Sequence, residues 1–296
     1  MRCYKTELDP FPAITAENPA GFPRIDVVAA ARTDVGRERS DNQDRAFVAD
    51  ASTDQAWEPP VAIGVRADAS GGFYAAVCDG MGGEAGGALA SGLALETIVG
   101  AMRSRWVQRN AAPASSAAMT ESLVAQALVA SLEAASARIK VTAREEPAYA
   151  RMGTTATLAV VVHGVLLCAQ IGDSRAYVLR NGRLVQLTED QTMAELLRKS
   201  GGIPPDQIAN IVGPNVILQA LGSSTRLDVA LTRTPLESGD VVLLCSDGLY
   251  GPVDDAHITR IVTGSPDLGT ACDRLVAAAN AAGGPDNISC VLFRCV

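Results

Sequence analysis

From Arg24 onward, short apolar runs rich in Val, Leu and Ala alternate with turn signals. Runs of this kind read as β-strands, and they predict strands at about 25–31, 44–49, 60–66, 73–79, 154–162, 165–172, 175–180, 183–187, 240–246 and 287–294. Two long segments break the rhythm. Residues 84–107 and 121–143, the second through Leu123, Ala127, Leu128, Leu132, Ala135 and Ile139, carry apolar residues at helical spacing. An Ala/Ser/Pro stretch, Asn110 to Met119, joins them as a loop, with Thr120 placed to cap the second helix. Further helices fit at about 192–200, 205–211, 255–263 and 267–282. Because the long helices come as a pair, a layered α+β fold with mostly antiparallel sheets is favoured over βαβ units.

Nothing in the chain divides it. Residues 25–296 read as one domain behind an extended, proline-containing lead-in, 1–24. With 48% hydrophobic and 20% charged residues in 296, the chain has material for a large core, which excludes disorder as a description of the whole. Its 25 basic against 33 acidic residues leave a formal charge of −8. That balance repels nucleic acid and an anionic membrane surface, so neither is an expected partner. The longest apolar stretch, Leu158 to Ile171, is interrupted at His163-Gly164 and is too short to span a membrane. Met1 to Pro12 lacks the apolar core of an export signal, so a cytoplasmic protein is expected. Several of the seven cysteines, including Cys78, Cys168 and Cys245, sit inside apolar runs and read as reduced core residues.

The chemistry lies where strands end. Three apolar runs deliver a carboxylate at their terminus, Asp79, Asp173 and Asp247, and Asp286 opens the last strand. Asp-Gly is a common turn dipeptide, and one instance would mean only a bend. Four such ends, with Asp44 from the AspAsnGlnAsp segment, can gather around one point if the strands lie side by side. Carboxylates that close repel one another, and the local sequence supplies few cations. Divalent metal resolves the conflict, and an all-oxygen set without His or Cys selects Mg²⁺ or Mn²⁺, or Ca²⁺, over zinc.

Seven motifs occur in one order: TDVGRERSDNQD (33–44), DGMGG (79–83), GTT (153–155), IGDSRAY (171–177), LTED (187–190), CSDGL (245–249) and GPDNI (284–288). Together they resemble the bacterial metal-dependent serine/threonine protein phosphatases, the PPM or PP2C-like family. The resemblance implies a four-layer α/β/β/α sandwich, with two central antiparallel sheets flanked by helix pairs and a metal site at one end. It implies that Asp79 bridges two Mn²⁺ or Mg²⁺ ions and that the Gly80 carbonyl ligates one of them. Asp247 and Asp286 would complete the first ion's shell, Asp44 would serve the second directly or through water, and Asp173 would contribute to a weaker third site. Arg39 corresponds to the arginine that grips the substrate phosphate. The implied reaction is hydrolysis of phosphoserine and phosphothreonine in proteins by a metal-activated water, without a phosphoenzyme. The implied partners are phosphoproteins, the substrates of a bacterial Ser/Thr kinase, met by a monomer. The competing reading is a catalytically silent binding module on the same fold.

The chain departs from the family at Gln43, where many members carry Glu, and at Met81, where eukaryotic relatives carry a histidine. His163 is expected in a hairpin turn and His257 on a surface helix, both remote from the chemistry. Residues 50–72 read as a surface insertion, and about 190–226 as the family's flap beside the active site. Cys245 and Ser246 have no activating histidine nearby in sequence, so neither reads as a nucleophile. The glycines from Gly82 to Gly87 lack the lysine of a phosphate-cradling loop and instead allow a helix to start close to the metals.

Overall fold

The computed structural model describes residues 27–50, 55–65, 73–83, 86–111, 121–162, 164–213 and 216–295. The 1–24 lead-in, the Thr120 cap, His163, most of the 110–119 loop, and residues 51–54 and 66–72 of the 50–72 insertion lie outside these residues. In chain order the elements begin with β1 (Val27–Asp34), β2 (Arg45–Asp50), β3 (Gln55–Trp57), β4 (Val61–Val65), β5 (Phe73–Cys78) and β6 (Gly80–Met81). The long helices α1 (Gly86–Ala111) and α2 (Glu121–Glu145) follow, then β7 (Gly153–Thr154), β8 (Ala156–Val162), β9 (Val165–Ile171), β10 (Arg175–Arg180) and β11 (Arg183–Gln186). The chain continues through α3 (Met193–Ser200), α4 (Pro205–Ile211), β12 (Ala230–Pro235) and β13 (Val241–Cys245). It closes with α5 (Asp247–Tyr250), α6 (Asp255–Thr263), α7 (Leu268–Ala281) and β14 (Ile288–Cys295).

Two six-stranded sheets form, in the orders β11-β10-β13-β14-β1-β4 and β12-β9-β8-β5-β2-β3, and their neighbouring strands pair antiparallel. The expected α+β sandwich is thus observed. The apolar runs are continuous rather than alternating because the central strands are covered on both faces. On β2 and β5, for example, Phe47, Tyr74 and Ala76 face the α1/α2 pair, while Val48, Phe73 and Val77 face the other sheet. Phe73 meets Phe293 across the inter-sheet layer with ring centroids 4.7 Å apart. A third cluster packs Tyr177, Leu243 and Leu292 under α6 and α7 through Ile258, Val262 and Leu275.

Helix ends follow local chemistry. Thr192 accepts a hydrogen bond from the Glu195 N–H at 3.2 Å, Asp254 from the His257 N–H at 2.7 Å, and Asp267 from the Thr270 N–H at 2.8 Å, each satisfying an otherwise orphaned first-turn donor. On α2 the buried positions Val124, Leu128, Ser131, Leu132, Ala135 and Ile139 keep the three-and-four spacing seen in sequence. The sequence gives no strand over 230–235. That segment, ALTRTP, lies at a sheet edge with only partly covered side chains, so it shows no apolar run. The short strand β3 in the 50–72 segment was likewise illegible, because its three residues pair at the opposite edge.

Register sets where the site forms. Arg45 pairs with Cys78, Arg175 with Cys245, and Asp34 with Ile288. The residues one or two beyond each pair, Asp44 and Asp79, Asp173 and Asp247, and Asp286, therefore leave the two sheets at one common rim.

Candidate metal centre

At this rim the sequence-predicted carboxylates come together. The charges of Asp44, Asp247, Asp173 and Asp286 all bear on Asp79. Burial, then that repulsion, holds the Asp79 carboxyl well above the usual carboxylate range. Asp44, 1% exposed, is pushed up to about 7 by burial, against hydrogen bonds from Ser246 and Ser289 that pull the other way. Burial likewise pushes Asp173 up to about 7, with the charges of Asp247 and Asp190 adding to it. Asp247 is raised by burial and by Asp286.

The backbone around each acid is fixed by residues whose role the sequence did not reveal. Both threonines of the GTT motif hold Asp79: its carbonyl accepts from Thr154 Oγ1 and the Thr155 N–H, each at 2.8 Å, and its N–H donates to Thr155 Oγ1 at 3.0 Å. Thr155 Oγ1 lies 2.7 Å from Ser174 Oγ, tying Asp79 to the turn that presents Asp173. Ser246, fully buried, donates to Asp44 Oδ2 at 2.7 Å and accepts from the Ser289 N–H at 3.0 Å, which occupies its hydroxyl structurally, as its lack of a base implied. Gly80 must be glycine. A Cβ there would stand 2.2 Å from the Gly87 carbonyl and 2.6 Å from that of Gln43, so the start of α1 can approach the site only over a bare backbone.

Arg39 is the cation at the centre. Its Nη2 contacts Asp286 Oδ2 at 2.7 Å, and its side chain remains 56% exposed toward the solvent side of the rim. Arg175 lines the same cleft but is held by Asp190. It grips Asp190 with Nε at 2.9 Å and Nη2 at 2.6 Å, and its guanidinium stacks 3.6 Å from the Tyr250 ring centroid. Tyr250 in turn donates to the Asp173 carbonyl at 3.0 Å. A cleft of about 800 Å³ opens beside these groups, lined by Arg39 and Asp286 together with Ala194 of α3, Ile208 of α4 and Val212 just beyond it. His257 lies exposed on α6 and takes no part. Met81, on β6, brings no titratable group to the rim.

Among the described residues, no three His, Cys, Asp or Glu side chains form a single ready-made cation cage. The acids instead line a shared rim, and two of their oxygens, Asp44 Oδ1 and Asp247 Oδ1, are buried without a hydrogen-bond partner. Orphaned anionic oxygens that also repel one another are the donor chemistry a hard divalent cation satisfies. The residues present therefore fit Mn²⁺ or Mg²⁺.

An acidic rim of this kind, at one end of an antiparallel double sheet with an arginine on it, defines a metal-dependent phosphatase fold, and the chain belongs to the protein phosphatase 2C family, whose model matches residues 62–288. Among curated relatives, the serine/threonine phosphatase Stp of Listeria innocua is 31% identical over 261 residues, 88% of this chain and 93% of that protein. The protein phosphatase PhpP of Streptococcus pneumoniae is 30% identical over 260 residues, 88% of this chain and 94% of its own. Among solved structures, the catalytic domain of the serine/threonine protein phosphatase PstP in complex with two manganese ions superposes with a TM-score of 0.70 at 29% identity, covering 92% of this chain and 99% of that one. Another structure of that phosphatase, from Mycobacterium tuberculosis, gives a TM-score of 0.72. Among the described residues no helix is long and apolar enough to cross a membrane.

Proposed function

We propose that this chain hydrolyses phosphoserine and phosphothreonine in proteins, with water as the acceptor, opposing a Ser/Thr kinase. The domain spans 25–296, with the flap at about 190–226. The observation that carries the reading is the convergence of Asp44, Asp79, Asp173, Asp247 and Asp286 with a half-exposed Arg39. Asp79 would be shared between two ions, the Gly80 carbonyl, Asp247 and Asp286 would complete the first shell, and Asp173 would face a third, weaker site. Asp44 has one oxygen committed to Ser246, which leaves Oδ1 for the second ion or for its water. When bound, such ions lower the pKa of water and neutralise charge on a phosphoryl group.

The chain's own residues do the rest. Asp286 engages one N–H of Arg39 Nη2, leaving the other guanidinium N–H groups to meet the phosphoryl oxygens as planar, permanently charged donors. The bond from phosphorus to the seryl or threonyl oxygen breaks as a bond to the water oxygen forms. With Met81 at the position after Asp-Gly, no side chain there can protonate the leaving oxygen, so solvent does so. Ser246 is buried and engaged with Asp44, so its hydroxyl is not free to act as a covalent acceptor. A phosphopeptide and p-nitrophenyl phosphate should both be turned over with Mn²⁺ and not after chelation, and acid quench during turnover of labelled phosphoprotein should leave no phosphate on the chain. Absence of turnover with any divalent ion would support the silent binding module instead.

A further inference from the structure

We propose that Asn287 is a positioning residue: its side-chain amide closes the loop that carries Arg39 and so sets the guanidinium geometry for the substrate phosphate without touching substrate. The inference rests on the reading of Arg39 given above. Asn287 is 5% exposed, and every polar group of its amide is used. Nδ2 donates to the Val35 carbonyl at 2.8 Å and to the Asp41 carbonyl at 2.9 Å, while Oδ1 accepts from the Gln43 N–H at 2.8 Å. Val35 and Asp41 lie on either side of Arg39 in the chain. A single NH₂ group therefore pinches the neck of the loop, and the carbonyl of the same amide fixes the residue next to Asp44.

The same residue also holds Arg39's partner. The backbone N–H of Asn287 donates to Asp286 Oδ1 at 2.8 Å, and Asp286 Oδ2 receives Arg39 Nη2 at 2.7 Å. Asn287 thus sets both ends of the Arg39–Asp286 pair, one through the loop backbone and the other through the carboxylate. The loop is also held by the Gly284 carbonyl, which accepts from the Arg37 N–H at 2.7 Å and the Glu38 N–H at 3.3 Å, and by Asn42, whose Nδ2 donates to Thr33 Oγ1 at 2.8 Å. Beyond Glu38 the segment has no strand or helix to hold it until β2. Only an amide fits this duty. An aspartate would turn an acceptor oxygen toward two carbonyls, and an alanine would remove the partner from three backbone groups at once.

A double-mutant cycle on the full-length, Mn²⁺-loaded chain tests this. Turnover of p-nitrophenyl phosphate and competitive inhibition by inorganic phosphate are measured for wild type, Asn287→Ala, Arg39→Ala and the double variant, each with its unfolding midpoint. Asn287→Ser serves as a second, less disruptive variant. Asn287→Ala is expected to raise KM and the phosphate inhibition constant by about tenfold with a smaller change in kcat, and to add about twofold or less once Arg39 is already alanine. An equal penalty in both backgrounds overturns the proposal, since the amide would then act on the rim as a whole. If Arg39→Ala by itself leaves KM and phosphate inhibition unchanged, the phosphate role of Arg39 fails, and this inference fails with it. If neither Asn287 variant gives a folded chain, the residue serves folding and the proposal is likewise overturned.

Discussion

β10 and β13 lie side by side and carry a buried carboxylate at each end of the pair, but the two ends treat it in opposite ways. At one end Asp240, 2% exposed, sits between Arg180 Nε at 2.8 Å and Nη2 at 2.5 Å, with the Glu237 N–H 2.9 Å from Oδ2. Its charge is matched by a guanidinium that lies on the same strand pair. At the other end Asp173 and Asp247 meet Asp79 and Asp44, while the nearest guanidiniums are committed, Arg175 to Asp190 and Arg39 to Asp286. One end is electrostatically closed by protein. The other is left anionic, and that surplus is what distinguishes a site for cations from a structural ion pair.

Removing one carboxylate from each end should separate the two roles cleanly. Asp247→Asn is expected to cut kcat for p-nitrophenyl phosphate by about a thousandfold or more, because it deletes a ligand from the centre that activates water. The same change should leave unfolding of the metal-free chain by urea unaltered or slightly harder, since it relieves repulsion with Asp79 and Asp286. Asp240→Asn should do the reverse. It takes from Arg180 its buried partner while the outer pair with Glu237 remains, costing about 2 to 3 kcal/mol, less than a fully buried pair because the Arg180 side chain is 32% exposed. Its kcat with Mn²⁺ should stay within about twofold of wild type. Equal loss of activity in both variants would mean the two ends are not functionally distinct.

The strand-end carboxylates were legible in the sequence because each follows a visible apolar run, and order along the chain was enough to suggest that they meet. What the runs could not show was the register that makes them meet, Arg45 with Cys78 and Arg175 with Cys245, which is set by pairing between distant segments. The supporting polar groups were less visible still. Thr154, Thr155, Ser246 and Asn287 act through backbone partners far away in sequence, and small polar residues at strand ends look like ordinary turn residues. The edge strand Ala230–Pro235 was missed for the opposite reason, since exposure on one side removes the apolar signal that reveals a core strand. Motif order compensated for part of this: the GTT and GPDNI segments were marked as belonging to the site before any contact gave them a task.

Stabilisation by metal should also differ between the ends. Adding Mn²⁺ at about a hundred times its dissociation constant should stabilise the wild-type chain by about 2.7 kcal/mol, and Asp240→Asn by the same increment from a lower start. Asp247→Asn should lose most of that increment. Thermal unfolding with Mn²⁺ and with chelator reads this directly, and an undiminished shift in Asp247→Asn would place the cation elsewhere. Gly248→Ala should have a milder effect on the same end. Its Cβ would stand 2.0 Å from the Asn287 carbonyl, forcing Asp247 and Asn287 apart, and kcat/KM is expected to fall about tenfold with a stability loss of about 1 to 3 kcal/mol.

The smallest effect belongs to the guanidinium that sits at the open end with its hydrogen bonds committed to Asp190. Arg175 joins the base of the flap, through Asp190, to Tyr250 and thence to the Asp173 carbonyl. Lysine keeps the charge but loses the two-pronged grip on Asp190 and the flat stacking on Tyr250. Arg175→Lys is therefore expected to lower stability by about 1 kcal/mol and to leave p-nitrophenyl phosphate turnover within about twofold, because lysine preserves the positive charge that bears on Asp173. A phosphopeptide, which must also lie along the cleft bounded by Ala194, Ile208 and Val212, should show a KM raised by about threefold. If the small substrate suffered as much as the peptide, Arg175 would count among the groups that balance the anionic end, and the contrast with Arg180 would narrow to one of degree.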